Sequence, residues 1–237
     1  MNTPIVRATF TPLLAAALML TSLEGATVPP KFNQTVQPRF PAALDFTAIS
    51  SGEADVMLKI DAIGQLIDVL VVGYSHKEFG REAAETVRQW KYEPAVRDGE
   101  PIESRVRLSI KFTSNARVVT LMPLETPAAL LRGAGIPESV NLVCNASDLD
   151  RPLVVVQTAT PVHPGRTAAF PEGHTVVDFY VDETGRARLP MVVETTHPAF
   201  SVAAVHALAD WKFAVPTRGG RPTIVRMQQT FVFENGT

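Results

Sequence analysis

The chain repeats itself at a fixed interval, and this repeat constrains its fold more than any other feature. Asp61 and Gly64 of the first copy recur 121 residues later as Asp182 and Gly185. A constant interval without gaps predicts two copies of one structural module. The other pairs at this interval are His76 and His197, Phe79 and Phe200, Trp90 and Trp211, Gly99 and Gly220, Pro101 and Pro222, and Phe112 and Phe233.

Each copy begins with two strands joined by a short turn. In the first copy, apolar residues alternate with polar ones at 55–60, and a second strand follows at 66–72. The second copy repeats this pattern at 177–181 and 187–193. Pro190 falls in the last of these strands and has no backbone N–H, so we expect that strand to lie at a sheet edge or to carry a bulge.

A helix and a long strand complete each copy. Apolar residues three to four apart predict a helix that ends near Trp90 in the first copy and near Trp211 in the second. We expect both indoles to be core anchors whose N–H binds a loop carbonyl, and we expect His76 and His197 to serve the first helical turn. The final strand alternates between two faces. Its inward residues are Ile102, Val106, Leu108, Ile110 and Phe112 in the first copy, and Val225, Met227, Phe231 and Phe233 in the second.

The element order is therefore ββαβ, twice, which predicts an α+β protein. The helix returns the chain, so the third strand runs antiparallel to the first, and we expect a three-stranded antiparallel sheet in the order 2-1-3 with the helix on one face. The third strand then lies at an open edge. We place the modules at residues 36–113 and 148–234. Between them, 114–147 is predicted to be a structured connector with a strand at 117–121 and a short helix at 127–131.

The N-terminus has the pattern of an export signal. Arg7 precedes an uncharged, mostly apolar run at 8–23, which as a helix would be about 24 Å long, short of a membrane span. We expect residues 1–26 to be a signal peptide, with a short retained membrane anchor as the alternative.

Composition excludes several classes of function. The 22 Lys and Arg residues against 24 Asp and Glu residues give a net charge of −2, which argues against nucleic acid as a partner. Cys144 is the single cysteine, so the chain has no internal disulfide and no multi-cysteine metal site. No spacing of nucleophile and base, and no phosphate-binding glycine loop, indicates an enzyme. We therefore expect no catalytic site, no metal and no cofactor.

The ordered set of motifs resembles the TonB C-terminal domain of Gram-negative bacteria. The set is Asp-x-x-Gly between two strands, His-x-x-Phe, a helix ending in Trp-Lys-Tyr-Glu-Pro, then Asp-Gly-x-Pro and a long strand. Residues 37–41 are similar to the Gln-Pro-x-Tyr-Pro lead-in of that family, and 148–152 and 160–164 resemble the equivalent segments before the second copy. The resemblance implies a non-enzymatic periplasmic domain that captures a short extended peptide of an outer-membrane transporter along its last strand.

The last strands are the predicted binding edges. An edge strand exposes unpaired N–H and C=O groups, to which an extended peptide can add as a further strand. The basic residues of the first copy favour an acidic peptide, and the second copy is more neutral. The predicted partner-binding residues are Gln37, Pro38 and Arg39 in the lead-in, Arg105, Arg107, Ser109 and Lys111 in the first copy, and Arg226, Gln228 and Thr230 in the second.

Three alternatives stay open at this point. In the first alternative, the charged residues at the edges protect against aggregation and bind no partner. The edges can pair with each other or in a homodimer, which would make the protein a structural or assembly component. An anchored energy transducer for outer-membrane transporters is the third alternative.

Overall fold

The computed structural model describes residues 9–10, 27–44, 47, 49–113, 117–121, 140–164 and 172–234. The chain divides into two compact units at the bond between Leu142 and Val143. We call the described residues of 27–142 the first unit, and those of 143–234 together with Thr9–Phe10 the second unit. The boundary falls inside the predicted connector, whose expected helix at 127–131 lies outside the described residues.

The first unit contains one complete ββαβ run with short strands added around it. Its elements follow β1 (Thr9–Phe10), which pairs in the second unit. They are β2 (Thr27–Val28), β3 (Lys31–Gln34), a 3-10 turn (Ala42–Leu44), β4 (Ser51–Ile60), β5 (Leu66–Tyr74), α1 (Lys77–Val87), β6 (Lys91–Glu93), β7 (Ala95–Arg97), β8 (Glu100–Ile102), β9 (Ser104–Thr113), β10 (Arg117–Leu121) and β11 (Val140–Asn141).

The main sheet of the first unit has the strand order β10-β9-β4-β5-β11. All four pairings are antiparallel, and β4 lies at the centre between the long strands β5 and β9. The expectation of three strands is therefore wrong for this unit, because the chain after β9 adds β10 at one side and β11 adds at the other. Helix α1 packs on one face, where Phe79 stacks on Phe112 with ring centroids 4.9 Å apart.

The second unit repeats this plan. Its elements are β12 (Val143–Cys144), a 3-10 turn (Ala146–Asp148), β13 (Val155–Gln157), β14 (Gly173–Val181), β15 (Ala187–Thr195), α2 (Pro198–Ala209), β16 (Lys212–Phe213), β17 (Thr217–Arg218), β18 (Arg221–Pro222) and β19 (Ile224–Phe233).

The main sheet of the second unit has the order β1-β19-β14-β15, and β12 also pairs with β19 in parallel. Here too the sheet has five strands instead of the expected three, because β1 and β12 add to the last strand. On the helix face Phe200 stacks on Phe233 with centroids 4.5 Å apart. The expectation from Pro190 is confirmed, since β15 is the last strand in this order and its pairing with β14 shifts register beside Pro190.

The repeated motifs hold the same local contacts in both units. The rings of His76 and His197 accept the backbone N–H of Glu78 and Ala199, which caps each helix as predicted. Both tryptophans are confirmed as core anchors. Each is 4% exposed, and their indoles donate to the carbonyls of Val36 and Ala159 at 2.8 and 2.9 Å.

The Asp-x-x-Gly turn of the second unit contacts β16, the strand that follows Trp211. Asp182 Oδ1 accepts the backbone N–H of Thr184 and Arg186, which closes the turn. Gly185 has φ of +78° and its carbonyl accepts the N–H of Phe213 at 2.8 Å. A Cβ at Gly185 would overlap the Phe213 carbonyl, so the glycine is required twice, for its conformation and for this close approach.

No helix within the described ranges is long and apolar enough to span a membrane.

Candidate partner-binding edges

The last strand of the first unit is only in part the open edge that the repeat predicts, because no described strand pairs with 104–107 on that side while β10 pairs with 108–112. β10 pairs antiparallel with β9 from Arg117 opposite Phe112 to Leu121 opposite Leu108. The C-terminal half of β9 is therefore already covered by a strand from the same chain. A strand that follows closely in sequence pairs at a small cost in loop-closure entropy, which explains why it occupies this edge.

The last strand of the second unit is covered in two short places. β12 pairs with Ile224 and Val225, and β1 pairs with Gln229 and Thr230. Among the described strands, none pairs with 226–228 on that side. The open-edge expectation thus needs correction for both units, and β19 is the less covered of the two last strands.

The arginines at these edges are engaged in ion pairs within their own sheets. Arg107 donates to Asp55 on β4, with Nη2 2.6 Å from Oδ2. Arg226 donates through Nε and Nη2 to Oδ2 of Asp178 on β14, at 2.9 and 2.7 Å. The hydrogen bond to buried Asp178 raises the pKa of Arg226. Both side chains therefore hold the sheet together, and an acidic ligand would have to compete with an internal carboxylate for either one.

These two ion pairs have the same diagonal geometry. Asp55 lies directly opposite Ser109 and reaches Arg107, while Asp178 lies directly opposite Gln228 and reaches Arg226. Sequence reasoning missed the pairs because they depend on strand register. The available signal was an aspartate on the first strand of each copy and an arginine on the third, which a 2-1-3 order brings together.

The other predicted residues of β9 differ in their exposure. Ser109 is 3% exposed, so its hydroxyl is not available at the surface. Arg105 and Lys111 are half-buried, and they lie opposite Lys59 and Glu53 of β4. Nearby, buried Lys59 forms an ion pair with Glu103 at 3.0 Å. This face of the first unit is a network of mixed charge instead of a simple basic surface.

Gln228 and Thr230 are half-buried on β19, opposite Asp178 and Val176. Both are on the face of the sheet that points away from α2, because Val225, Phe231 and Phe233 occupy the core face. Together with Arg226 they form a short polar row of neutral overall character once Arg226 is paired with Asp178.

The lead-in residues Gln37, Pro38 and Arg39 do not lie beside the arginines of the last strands. Arg39 donates its backbone N–H to Glu82 of α1 at 3.0 Å, and Phe40 packs edge-on against Phe79. This places Gln37, Pro38 and Arg39 on the helix side of the sheet, whereas the outward residues of β9 lie on the other face. Pro38 is buried, and Gln37 and Arg39 are exposed. The ten predicted partner-binding residues thus form separate groups.

No cluster of three or more His, Cys, Asp or Glu side chains suited to a metal ion occurs in the part of the chain that the structure describes.

Comparison with known proteins agrees with this architecture. The sequence model of the Gram-negative bacterial TonB protein C-terminal matches residues 36–114 and 169–234, together more than half of the chain. Protein TonB of Vibrio cholerae serotype O1 is 35% identical over 80 residues, which is 32% of each chain. Protein TonB of Xanthomonas campestris pv. campestris strain B100 is 29% identical over 92 residues, which is 38% of this chain and 41% of that protein.

The similarity to these two relatives spans well under half of their own lengths. It is nevertheless consistent with the family match, which covers the ββαβ core of both units and includes β9 and β19. The chain therefore belongs to the family of Gram-negative bacterial TonB protein C-terminal domains.

Proposed function

We propose that this chain is a TonB-like periplasmic protein in which the second unit captures an extended segment of a partner by strand addition along β19. The observation that carries this proposal is the difference between the two last strands. β10 covers five consecutive residues of β9, from Leu108 to Phe112, whereas the described strands β12 and β1 cover β19 only at 224–225 and 229–230.

Export would lengthen the uncovered part of β19. β1, which covers Gln229 and Thr230, lies within residues 1–26, where we expect a signal peptide. Removal of that peptide would leave β19 as an edge from 226 to 233. A guest strand of five or six main-chain hydrogen bonds, each worth about 0.5–1.5 kcal/mol, would bind reversibly in the micromolar range after its ordering cost.

The side chains along β19 favour a neutral or weakly polar guest. Arg226 is held by Asp178, so its charge is largely compensated. Gln228 and Thr230 offer uncharged hydrogen-bonding groups on the same face. By family resemblance, the guest is an extended segment of an outer-membrane transporter, and the protein acts in the uptake that such transporters carry out.

Disulfide trapping tests strand addition directly. Gln228→Cys is combined with a series of extended peptides that carry one cysteine at successive positions. Strand addition places every second peptide residue on the face of Gln228, so cross-links should form at alternating positions. Lys111→Cys is the matched control, because β10 covers that part of β9, and it should give no alternation.

A flat cross-linking profile with Gln228→Cys would reject capture at β19. Alternation with Lys111→Cys alone would move the binding site to the first unit. N-terminal sequencing of the exported protein would separate the cleaved form from the anchored transducer. Light scattering would show whether the edges instead form a homodimer.

A further inference from the structure

The second unit carries an exposed two-stranded ribbon beside its core. The segment 150–157 runs antiparallel to 212–217. The N–H of Asp150 donates to the Thr217 carbonyl at 2.9 Å, and the N–H of Ala214 donates to the Val154 carbonyl at 2.8 Å. β13 and β16 form the other end of this ribbon. The hairpin β17–β18 continues it beyond Thr217.

One side of the ribbon is apolar and open to solvent. Val155 packs against the core of the second unit. Its neighbours Val154 and Val156 point the other way and are 59% and 69% exposed. Val154 and Val156 therefore form a small exposed apolar surface on this ribbon.

The hairpin end of the same ribbon is basic. Arg218 and Arg221 lie opposite each other on β17 and β18, and Arg151 is next to Asp150. All three arginines are exposed. The carboxylate of Asp150 accepts the backbone N–H groups of the hairpin tip, Gly219 and Gly220, at 2.7 and 2.8 Å. This fixes the tip and holds the arginines around it.

The equivalent hairpin of the first unit has a different charge. There the residues are Arg97, Asp98, Gly99 and Glu100, with a net charge of −1, whereas the hairpin Arg218–Gly219–Gly220–Arg221 has a net charge of +2. The same backbone turn therefore forms with either charge. Glu100 of the first unit stands where the second unit has the exposed Arg221, and this change of sign points to a role for the positive charge at the surface.

We propose that Arg151, Val154, Val156, Arg218 and Arg221 form a patch that binds an anionic lipid surface. Guanidinium groups bind lipid phosphates, and apolar side chains next to them enter the headgroup region. An acidic peptide would use the arginines and leave the valines in water, whereas a lipid surface uses both. Pairing of the patch with its copy on a second molecule would bring like charges together, which argues against self-association.

Vesicle co-sedimentation of the protein as the cell makes it tests this patch. The probes are vesicles of phosphatidylglycerol and phosphatidylcholine in about equal amounts, and vesicles of phosphatidylcholine alone. Each arginine near an anionic surface contributes about a five-fold factor, equivalent to about 1 kcal/mol. The double variant Arg218→Gln/Arg221→Gln should therefore bind the anionic vesicles about twenty-five-fold more weakly.

Two matched variants make the result specific. Arg97→Gln changes the equivalent arginine of the first unit and should leave vesicle binding unchanged. Val154→Ser/Val156→Ser keeps every charge and should weaken binding about ten-fold. The N-terminal apolar run is common to all variants, so differences between them report on the patch. Unchanged circular dichroism melting would show that each variant is folded.

Equal binding to the two kinds of vesicle, or an equal loss with Arg97→Gln, would overturn the proposal. So would binding to soluble poly-glutamate without binding to vesicles, because that result would assign the patch to an acidic polypeptide. Retained peptide cross-linking at Gln228→Cys in the arginine variants is expected, since no residue of the lipid patch lies on β19.

Discussion

Gln229 occupies in β19 the position that Leu108 occupies in β9, and both side chains are buried. Leu108 is 0% exposed within the apolar core of the first unit. Gln229 is 1% exposed, and its amide nitrogen donates to the Thr230 carbonyl at 2.7 Å. Its Oε1 is buried without a hydrogen-bond partner among the described residues. A buried polar atom without a partner destabilises the folded state by about 1–3 kcal/mol.

Gln229→Leu should therefore stabilise the second unit by about 1–2 kcal/mol. The measurement is urea unfolding followed by fluorescence in a Trp90→Phe background, where Trp211 reports on the second unit alone. Leu108→Gln is the reciprocal variant. Followed through Trp90 in a Trp211→Phe background, it should destabilise the first unit by about 3 kcal/mol. A lower urea midpoint for Gln229→Leu would mean that the amide has a partner that this structure does not describe.

Sequence periodicity predicted most of the fold, but it did not lead to the burial of Gln229. Periodicity predicted the main strands and helices correctly, because alternation and the 3.6-residue repeat are local properties of the chain. It assigned Val225, Met227, Phe231 and Phe233 to the core face and passed over Gln229 because the residue is polar, although the same two-residue spacing puts position 229 on that face. Its exposed fraction of 1% shows that Gln229 continues the inward row.

The candidate site was less predictable than the fold. The repeat identified the two last strands, but it did not show which neighbouring strands pair with them. β10 was predicted only as a strand extension, and nothing local in 117–121 indicates that it turns back onto β9. The Arg107–Asp55 pair is likewise set by register between strands far apart in sequence. Which groups remain open at an edge depends on competition between segments, and single-sequence patterns do not contain that information.

Gly185→Ala should strongly destabilise the second unit. A side chain at φ of +78° costs about 1–2 kcal/mol, and its Cβ would also overlap the Phe213 carbonyl. We expect a total loss of about 3 kcal/mol or more, measured by thermal unfolding. Gly220→Ala is the control, because Gly220 has φ of +72° with nothing within 4 Å of an added Cβ. Gly220→Ala should lower the free energy of unfolding only by the contribution of the backbone conformation. Equal losses for the two variants would disprove the steric contribution.

Asp182 should make the second unit sensitive to acid. Burial acts to raise the pKa of Asp182, but hydrogen bonds from Thr184, Arg186 and Arg188 outweigh it and leave the pKa below its usual value of 3.8. The carboxylate is thus stabilising in full above the unfolded pKa, and this contribution is lost as the pH falls through the folded pKa.

Asp182→Asn keeps a side-chain oxygen for the turn but loses the charge that pairs with Arg188. Near neutral pH it should lower the free energy of unfolding by about 1–2 kcal/mol. The difference from the parent should shrink in acid, where both side chains are neutral. The check is urea unfolding across a pH series, again followed through Trp211. A difference that is constant down to the lowest pH would show that charge is not the cause, and Asp61→Asn should leave this transition unchanged.

Detaching β10 should extend the uncovered edge of the first unit from the N-terminal half of β9 to the whole strand. Val118 and Val119 lie opposite Lys111 and Ile110, and adjacent residues of a strand direct their N–H groups to opposite sides. The double variant Val118→Pro/Val119→Pro therefore removes a ladder hydrogen bond whichever residue donates it. Faster amide exchange in the C-terminal half of β9 would report the loss of cover.

If strand addition is the means of capture, the number of peptide sites should then rise from one to two in a calorimetric titration. Lys111→Cys, which is covered in the parent, should begin to cross-link with the alternating pattern that Gln228→Cys gives. Val118→Thr/Val119→Thr keeps both backbone N–H groups and should preserve the single site. Exposed β9 amides without any second site would mean that an open last strand is not sufficient for capture, and that the side chains specific to β19 are required as well.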